Sequence, residues 1–96
     1  MDTTHETAFW AGILCARGAL YEHKKGLRLT LRADPALLEG ALDHFGVGHI
    51  KNGTWHVSYK DAPDVIRKCS PYLRGSFATF AYRRMEIANT HSSTHG

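Results

Sequence analysis

The sequence predicts an α+β fold in which helices cover one face of a four-stranded antiparallel sheet. Two tight-turn signals, Lys24-Lys25-Gly26 and Asn52-Gly53, each separate a pair of short segments, an arrangement typical of β-hairpins. Stretches with the helical spacing of apolar residues stand before, between and after the two hairpins. The order helix, hairpin, helix, hairpin, helix, helix therefore leaves one face of the sheet without a covering layer.

The first helix is predicted over residues 4–17, and the first hairpin follows it directly. Thr3 and Glu6 have the spacing of a capping box, and apolar residues then recur at helical spacing up to the next glycine. The hairpin strands are predicted over residues 19–23 and 27–32. In the second strand three leucines alternate with polar residues, so one face should be buried while the other faces solvent.

A second helix and a second hairpin repeat this order. Asp34 is predicted to cap the helix, with a proline at its first position, and the apolar stripe ends at Gly46. The second hairpin pairs residues 48–51 with residues 54–60. The Asn-Gly pair between them permits a two-residue turn, because both residues tolerate positive φ.

Two further helices complete the predicted domain. Asp61 is predicted to cap the third, Pro71 follows its end, and the fourth is predicted over residues 76–89. Residues 1–89 therefore form one domain, and the polar tail over residues 90–96 is predicted to be disordered. A domain of this size buries only about 60–65% of its unfolded surface, so association with a second copy would add to its stability.

The composition is that of a globular protein, with 43% hydrophobic and 22% charged residues. No apolar run is long enough to span a membrane, and the first residues do not resemble a secretory signal, so a cytoplasmic location is expected. Cys15 and Cys69 form no CxxC pair, and the seven histidines lack the spacing of a helical metal site. Buried free thiols and no metal site are predicted. The formal net charge of +3 permits a polyanionic partner without requiring one.

Four segments, in order, resemble parts of the LAGLIDADG homing endonucleases. Phe9–Gly18, with the sequence FWAGILCARG, resembles the motif helix of that family. Asp34–Glu39 together with Phe45–Ile50 resembles its second helix and third strand, and Ser70–Arg74 resembles the Pro-aromatic-Leu-basic segment before its last helix. The resemblance extends over roughly residues 8–88. It implies an α-ββ-α-ββ-α-α core with a saddle-shaped sheet and a single copy of the motif.

Arg17 stands where the family has the acidic residue that holds the catalytic metal. A guanidinium group only donates hydrogen bonds, so it is no ligand for Mg²⁺. Gly75-Ser76 also replace the basic residue expected after the Pro-aromatic-Leu segment. The resemblance therefore implies a degenerate member without a cofactor, and Mg²⁺ is expected only if the chain cleaves DNA. Two alternatives stay open: an exposed arginine favoured by the helix dipole, and a substitute acid at Glu22 or Asp34.

Family members with one motif work as homodimers, with the motif helices packed at the two-fold axis. The first helix has small side chains that permit such a close approach. By resemblance, the predicted dimer interface consists of Ala11, Gly12, Cys15 and Ala16. The alternative is that these residues pack against the sheet of their own chain.

In the family, the outward-facing strand residues enter the major groove of a long duplex. Carried over by position, the predicted DNA-binding set is Arg17, Tyr21, His23, Lys25, Arg28, Thr30, Arg32, His49, Lys51, His56 and Ser58. Arginine and lysine bind guanine edges or phosphates, and threonine, serine and histidine bind either. The alternative is an ordinary solvated face, but basic residues there outnumber acidic ones.

The first functional hypothesis is a non-cleaving, sequence-specific reader of a pseudo-palindromic duplex site. It acts as a homodimer, and we expect it to associate with the nucleoid and to regulate transcription after descent from a mobile-element endonuclease. The second is a homing endonuclease, or a subunit of one, that cuts DNA with a divalent metal or with a related partner chain. The third is a module that binds RNA or protein through the polar sheet face.

Overall fold

The computed structural model describes residues 3–85, without the side chains of residues 3, 4 and 23. The predicted end of the fourth helix and the predicted tail lie outside the described residues, as does the threonine side chain of the predicted capping box. The helices are α1 (Thr3–Arg17), α2 (Pro35–Phe45), α3 (Ala62–Cys69) and α4 (Gly75–Met85), with a short 3-10 helix at Ser70–Tyr72. The strands are β1 (Gly18–His23), β2 (Gly26–Arg32), β3 (His49–Lys51) and β4 (Thr54–Val57).

The four strands form one antiparallel sheet in the order β1-β2-β4-β3. Each hairpin joins neighbouring strands, and the connection through α2 brings β4 against β2. The helices pack on one face of this sheet, which confirms the predicted α+β fold. Among the described helices, none combines the length and the apolar character needed to cross a bilayer.

The core lies between the sheet and the helices and follows the alternation of the strands. Leu27, Leu29 and Leu31 of β2 are at most 4% exposed, and Trp55 and Val57 of β4 are fully buried. Burying each of these large apolar side chains contributes roughly 1.5–3 kcal/mol. Because successive side chains of a strand point to opposite faces, the residues between them are directed away from the helices.

Trp55 fixes the second hairpin against α2. Its Nε1–H donates a hydrogen bond to the Val47 carbonyl at 2.9 Å, and its ring stacks on Phe45 with 5.5 Å between centroids. Gly48 lies beside this ring with φ of +91°, and a Cβ atom there would stand 2.5 Å from Trp55 Nε1. A residue without a side chain is needed at this position, because both the backbone conformation and the close approach exclude a Cβ.

Two local predictions differ from the structure. The strand predicted over residues 54–60 ends at Val57, because the Ser58 carbonyl accepts hydrogen bonds from two backbone N–H groups at the start of α3. Asp34 and Asp61 stand at the helix N-termini, but neither side chain makes a capping hydrogen bond. Each helix instead has a proline in its first turn, which removes one N–H group that would need a partner.

The two cysteines are free thiols. Cys69 is fully buried in the core, whereas Cys15 is half-buried. Burial raises the pKa of the Cys69 thiol to about 12, and the nearby Cys15 acts in the same direction. Cys69 therefore stays protonated at neutral pH and packs as a small apolar residue.

Candidate nucleic-acid interface

The face of the sheet that the helices leave uncovered is called the open face below. It carries the side chains that alternate with the buried strand residues. Cross-strand partners share a face, so the pairing register defines its membership. The open face consists of Ala19, Tyr21, Arg28, Thr30, Arg32, His49, Lys51, Thr54 and His56.

The register arranges these side chains in rows across the strands. Thr30 is opposite His56, and His56 is opposite His49. The neighbouring row contains Arg32, Thr54 and Lys51. Rows on one face are about 7 Å apart, which corresponds to about two base-pair steps along a duplex. Thr54 was missing from the predicted set, although its parity with His56 signals that it belongs there.

The open face has a strongly one-sided charge. A shallow depression of about 440 Å³ on it is lined by Tyr21, Glu22, Arg28, Thr30, Arg32, Thr54 and His56. The Glu22 carboxylate pairs with Arg84 of α4 at 2.6 Å on the helix side of the sheet. Within residues 3–85, the open face itself has no carboxylate, whereas Arg28, Arg32 and Lys51 are exposed cations on it.

His49 of the edge strand β3 and His56 of β4 form a stacked pair on the open face. Their ring centroids are 5.2 Å apart and the ring planes differ by 19°. Partial burial lowers the pKa of His56 from its usual 6.5, and His49, Arg28 and Lys51 lower it further through their charges. A hydrogen bond with the Lys51 backbone acts in the opposite direction. The His56 ring is therefore mainly neutral at pH 7.

Three predicted contact residues lie at the margins of the open face. Lys25 is in the turn between β1 and β2, where its Nζ stands 5.4 Å from the centroid of the Tyr59 ring. Ser58 follows β4 instead of continuing it, and its Oγ accepts a hydrogen bond from the Lys60 backbone N–H at 3.3 Å. Ser58 is thus a turn residue, in contrast to the prediction. The backbone of His23 ends β1 opposite Gly26.

The predicted dimer-interface residues lie on two different sides of α1. Gly12 and Ala16 are exposed. Ala11, in contrast to the prediction, is fully buried in the core of its own chain, and its methyl group is not available to a partner. Cys15 is half-buried, and its Sγ accepts a hydrogen bond from the Arg74 backbone N–H at 3.3 Å. For Ala11, the alternative interpretation therefore holds: the residue packs within its own chain.

An apolar strip runs along the exposed side of α1. It consists of Phe9, Gly12, Ile13 and Ala16 and is called the α1 strip below. Phe9 is 53% exposed although its ring is large and apolar, and Ile13 is half-buried. Sequence reasoning missed Phe9 and Ile13. Phe9 stands three residues before Gly12, Ile13 stands three residues before Ala16, and the two large residues are four positions apart, which is the spacing of one helix face.

Arg17 occupies the last turn of α1 and is exposed. Its charge is favourable there, because the carboxyl end of a helix carries partial negative charge. Mg²⁺ takes oxygen ligands, and a guanidinium offers none. The described residues also contain no group of three His, Cys, Asp or Glu side chains placed to hold a metal ion. The Arg17 side chain is therefore no ligand for a divalent metal.

The fold is similar to that of a solved homing endonuclease, I-CvuI. That crystal structure contains the I-CreI target DNA in the presence of 2 mM Mg, with the DNA not cleaved. The TM-score is 0.61 at 18% sequence identity, and the match covers 74% of this chain. The chain spans 58% of the length of that solved chain. The protein thus has a homing endonuclease-like fold. No protein-family model matches the sequence, and no curated protein matches it either.

Proposed function

We propose that this chain is a non-cleaving, sequence-specific double-stranded DNA-binding protein that acts as a homodimer. The open face carries this proposal, because Arg28, Arg32 and Lys51 project from it and no described carboxylate shares it. A surface of this kind suits a polyanion, since each cation that meets a phosphate releases condensed counterions. The homing endonuclease fold, present in a solved complex with DNA, supports duplex DNA as that polyanion.

The composition of the open face suits both affinity and discrimination. Arginine and lysine bind phosphates or the O6 and N7 atoms of guanine. Thr30, Thr54 and the two imidazoles stand between the cations and offer further hydrogen-bonding groups for base edges. The major groove is wide enough to admit a two-stranded β-ribbon, and the open face is built from two hairpins. The same surface can therefore hold the backbone and read the sequence.

Arg17 supports binding without cleavage. Hydrolysis by a divalent metal needs oxygen ligands that position the metal beside the scissile phosphate. Arg17 supplies no such ligand and brings a fixed positive charge instead. Glu22, one of the two substitute acids considered, is paired with Arg84 on the helix side of the sheet. In the proposed complex Arg17 binds a backbone phosphate, so DNA binding does not require a divalent metal.

The α1 strip supports a homodimer. Gly12 and Ala16 expose a patch with little side-chain bulk, so two copies of α1 can approach closely there. Such an approach also removes the exposed apolar surface of Phe9 and Ile13 from contact with water, which stabilises the dimer. Two open faces related by a two-fold axis read a pseudo-palindromic site. A dimer that occupies such a site without cutting it fits the regulation of transcription at the nucleoid.

Selection from a random duplex library, carried out without divalent metal, tests this proposal. We expect enrichment of a two-fold-symmetric sequence that stays intact when it is later incubated with Mg²⁺ or Mn²⁺. Cleavage of the selected duplexes would show an endonuclease instead. Cleavage only after addition of a related chain would show a subunit of one. Tighter binding to single-stranded RNA than to any duplex would show an RNA-binding module.

A matched pair of variants locates the binding surface. Lys51→Gln removes a cation from the open face, whereas Lys68→Gln removes an exposed cation from α3 on the covered side of the sheet. We expect Lys51→Gln to reduce the slope of log K against log salt by about 0.9 for each phosphate that the variant no longer neutralises. Lys68→Gln should leave the slope unchanged. Equal effects of the two variants would contradict binding through the open face.

A further inference from the structure

We propose that the His49–His56 pair takes up a proton when duplex DNA binds to the open face, so that affinity for the duplex rises as the pH falls. This inference rests on the proposed function and adds a pH dependence to the same surface. It starts from the stacked geometry, with the two rings 5.2 Å apart, and from the charges that surround them.

In the free protein the surroundings of the pair oppose a positive charge. A proton on one imidazole disfavours a second proton on its stacked neighbour, and Arg28 of β2 and Lys51 of β3 are nearby cations. The titratable and charged groups on the open face around the pair are Tyr21 on β1, Arg28 and Arg32 on β2, and Lys51 on β3. The neighbouring helix α2, on the other side of the sheet, carries Glu39, Asp43 and His44. Glu22 lines the same depression as His56, but its carboxylate is paired with Arg84 of α4. Within the described residues, no carboxylate belongs to the open face itself.

Bound DNA reverses this balance. Phosphates placed over Arg28 and Lys51 cancel their charges, and they attract a proton on the imidazoles directly. The pKa of His56, which is lowered in the free protein, is therefore raised in the complex. Protons are taken up on binding between these two pKa values. Affinity is constant above the pKa of the complex, rises as the pH falls through that window, and becomes constant again below the pKa of the free protein.

Fluorescence anisotropy with a labelled duplex of about two helical turns, roughly 21 base pairs, measures this linkage. The titration extends from about pH 8.5 to about pH 5 at constant ionic strength, because histidine changes its charge in this range. We expect log K to rise by up to about one unit per pH unit for each proton taken up, or about tenfold in affinity. A flat profile over this range would overturn the inference.

Three variants assign the slope to the pair. The double variant His49→Gln/His56→Gln should bind the duplex with a profile that is much flatter than that of the parent. His5→Gln, in the first turn of α1 and outside the open face, should keep the parental slope. Lys51→Gln should bind more weakly, yet its window should move to higher pH, because the charge of Lys51 lowers the pKa of His56. An unchanged slope in the double variant would overturn the inference.

Histidine NMR of the unchanged protein gives a second readout that depends on no substitution. The Cε1–H resonances are titrated in the free protein and with the same duplex bound. We expect a pKa below 6.5 for His56 in the free protein and a higher pKa in the complex. Equal values would refute the linkage even if binding is tight. Absence of duplex binding at every pH would refute the proposed function, and this inference with it.

Discussion

Replacing Gly48 by alanine should remove a large share of the free energy of unfolding, although the change adds only one methyl group. The new Cβ would stand 2.5 Å from Trp55 Nε1, 2.6 Å from the His56 carbonyl oxygen and 3.2 Å from Trp55 Cδ1. Two of these atoms belong to the hydrogen-bonded framework of the hairpin, so they cannot move independently. The φ of +91° is a second obstacle, because alanine rarely adopts it.

The cost has three parts. A non-glycine residue held in an unfavourable backbone conformation costs about 1–3 kcal/mol. Extra volume in a packed core costs a further 1–3 kcal/mol, roughly, and loss of the hydrogen bond from Trp55 to Val47 costs about 1 kcal/mol. We expect a total of about 3–7 kcal/mol. A domain of this length has a free energy of unfolding of about 5–14 kcal/mol, so the loss is a large share of it.

Urea denaturation followed by tryptophan fluorescence measures the loss as a shift of the midpoint at constant slope m. Gly46→Ala is the matched control. Gly46 has φ of +71°, but nothing lies within 4 Å of a Cβ atom built there. This control should lose only the backbone part, about 1–2 kcal/mol. Equal midpoints for Gly46→Ala and Gly48→Ala would refute the argument that Trp55 and the hairpin backbone exclude a side chain.

Three further predictions concern the proposed interface. Gly12→Leu should shift the protein from dimer to monomer in sedimentation velocity, and the monomer should stay folded because nothing in its own chain lies within 4 Å of a Cβ atom there. Ala36→Leu, at an exposed position on α2, is the control and should leave the dimer unchanged. A Gly12→Leu dimer of parental affinity would contradict the α1 strip as the dimer interface. Arg28→Gln should lower the salt slope of duplex binding by about 0.9 per protomer if it contacts a phosphate, whereas an unchanged slope with altered sequence preference would show a base contact. Arg17→Ala should weaken duplex binding without divalent metal by on the order of tenfold, and parental binding at moderate salt would contradict a phosphate contact by Arg17.

Local sequence patterns were sufficient to predict most of the fold. The alternation in β2 and the Asn-Gly turn of the second hairpin depend on steric rules within a few residues, and the structure has both. The fourth strand was predicted too long, because its end depends on hydrogen bonds from the start of α3 to the Ser58 carbonyl. A residue's propensity does not reveal such a competing partner.

The open face was predictable only in part. Arg28, Thr30 and Arg32 follow from strand parity, and Thr54, which the prediction left out, has the same parity as His56. The stacking of His49 on His56 needed the register of β3 against β4. The turn type and the strand parity together determine this register. They do not determine how the two imidazole rings are oriented, so the stacking was not predictable from the sequence.

The sequence by itself determined the order of elements, the turns and the side of each strand that faces the core, because these depend on the chain's local geometry and on apolar spacing. The tertiary structure alone decided that Ala11 is enclosed by its own chain, and that Arg84 of α4 is the partner of the Glu22 carboxylate. Both outcomes depend on where α1 and α4 settle against the sheet. That packing is chosen by the sum of many weak contacts between distant residues, which no local pattern contains.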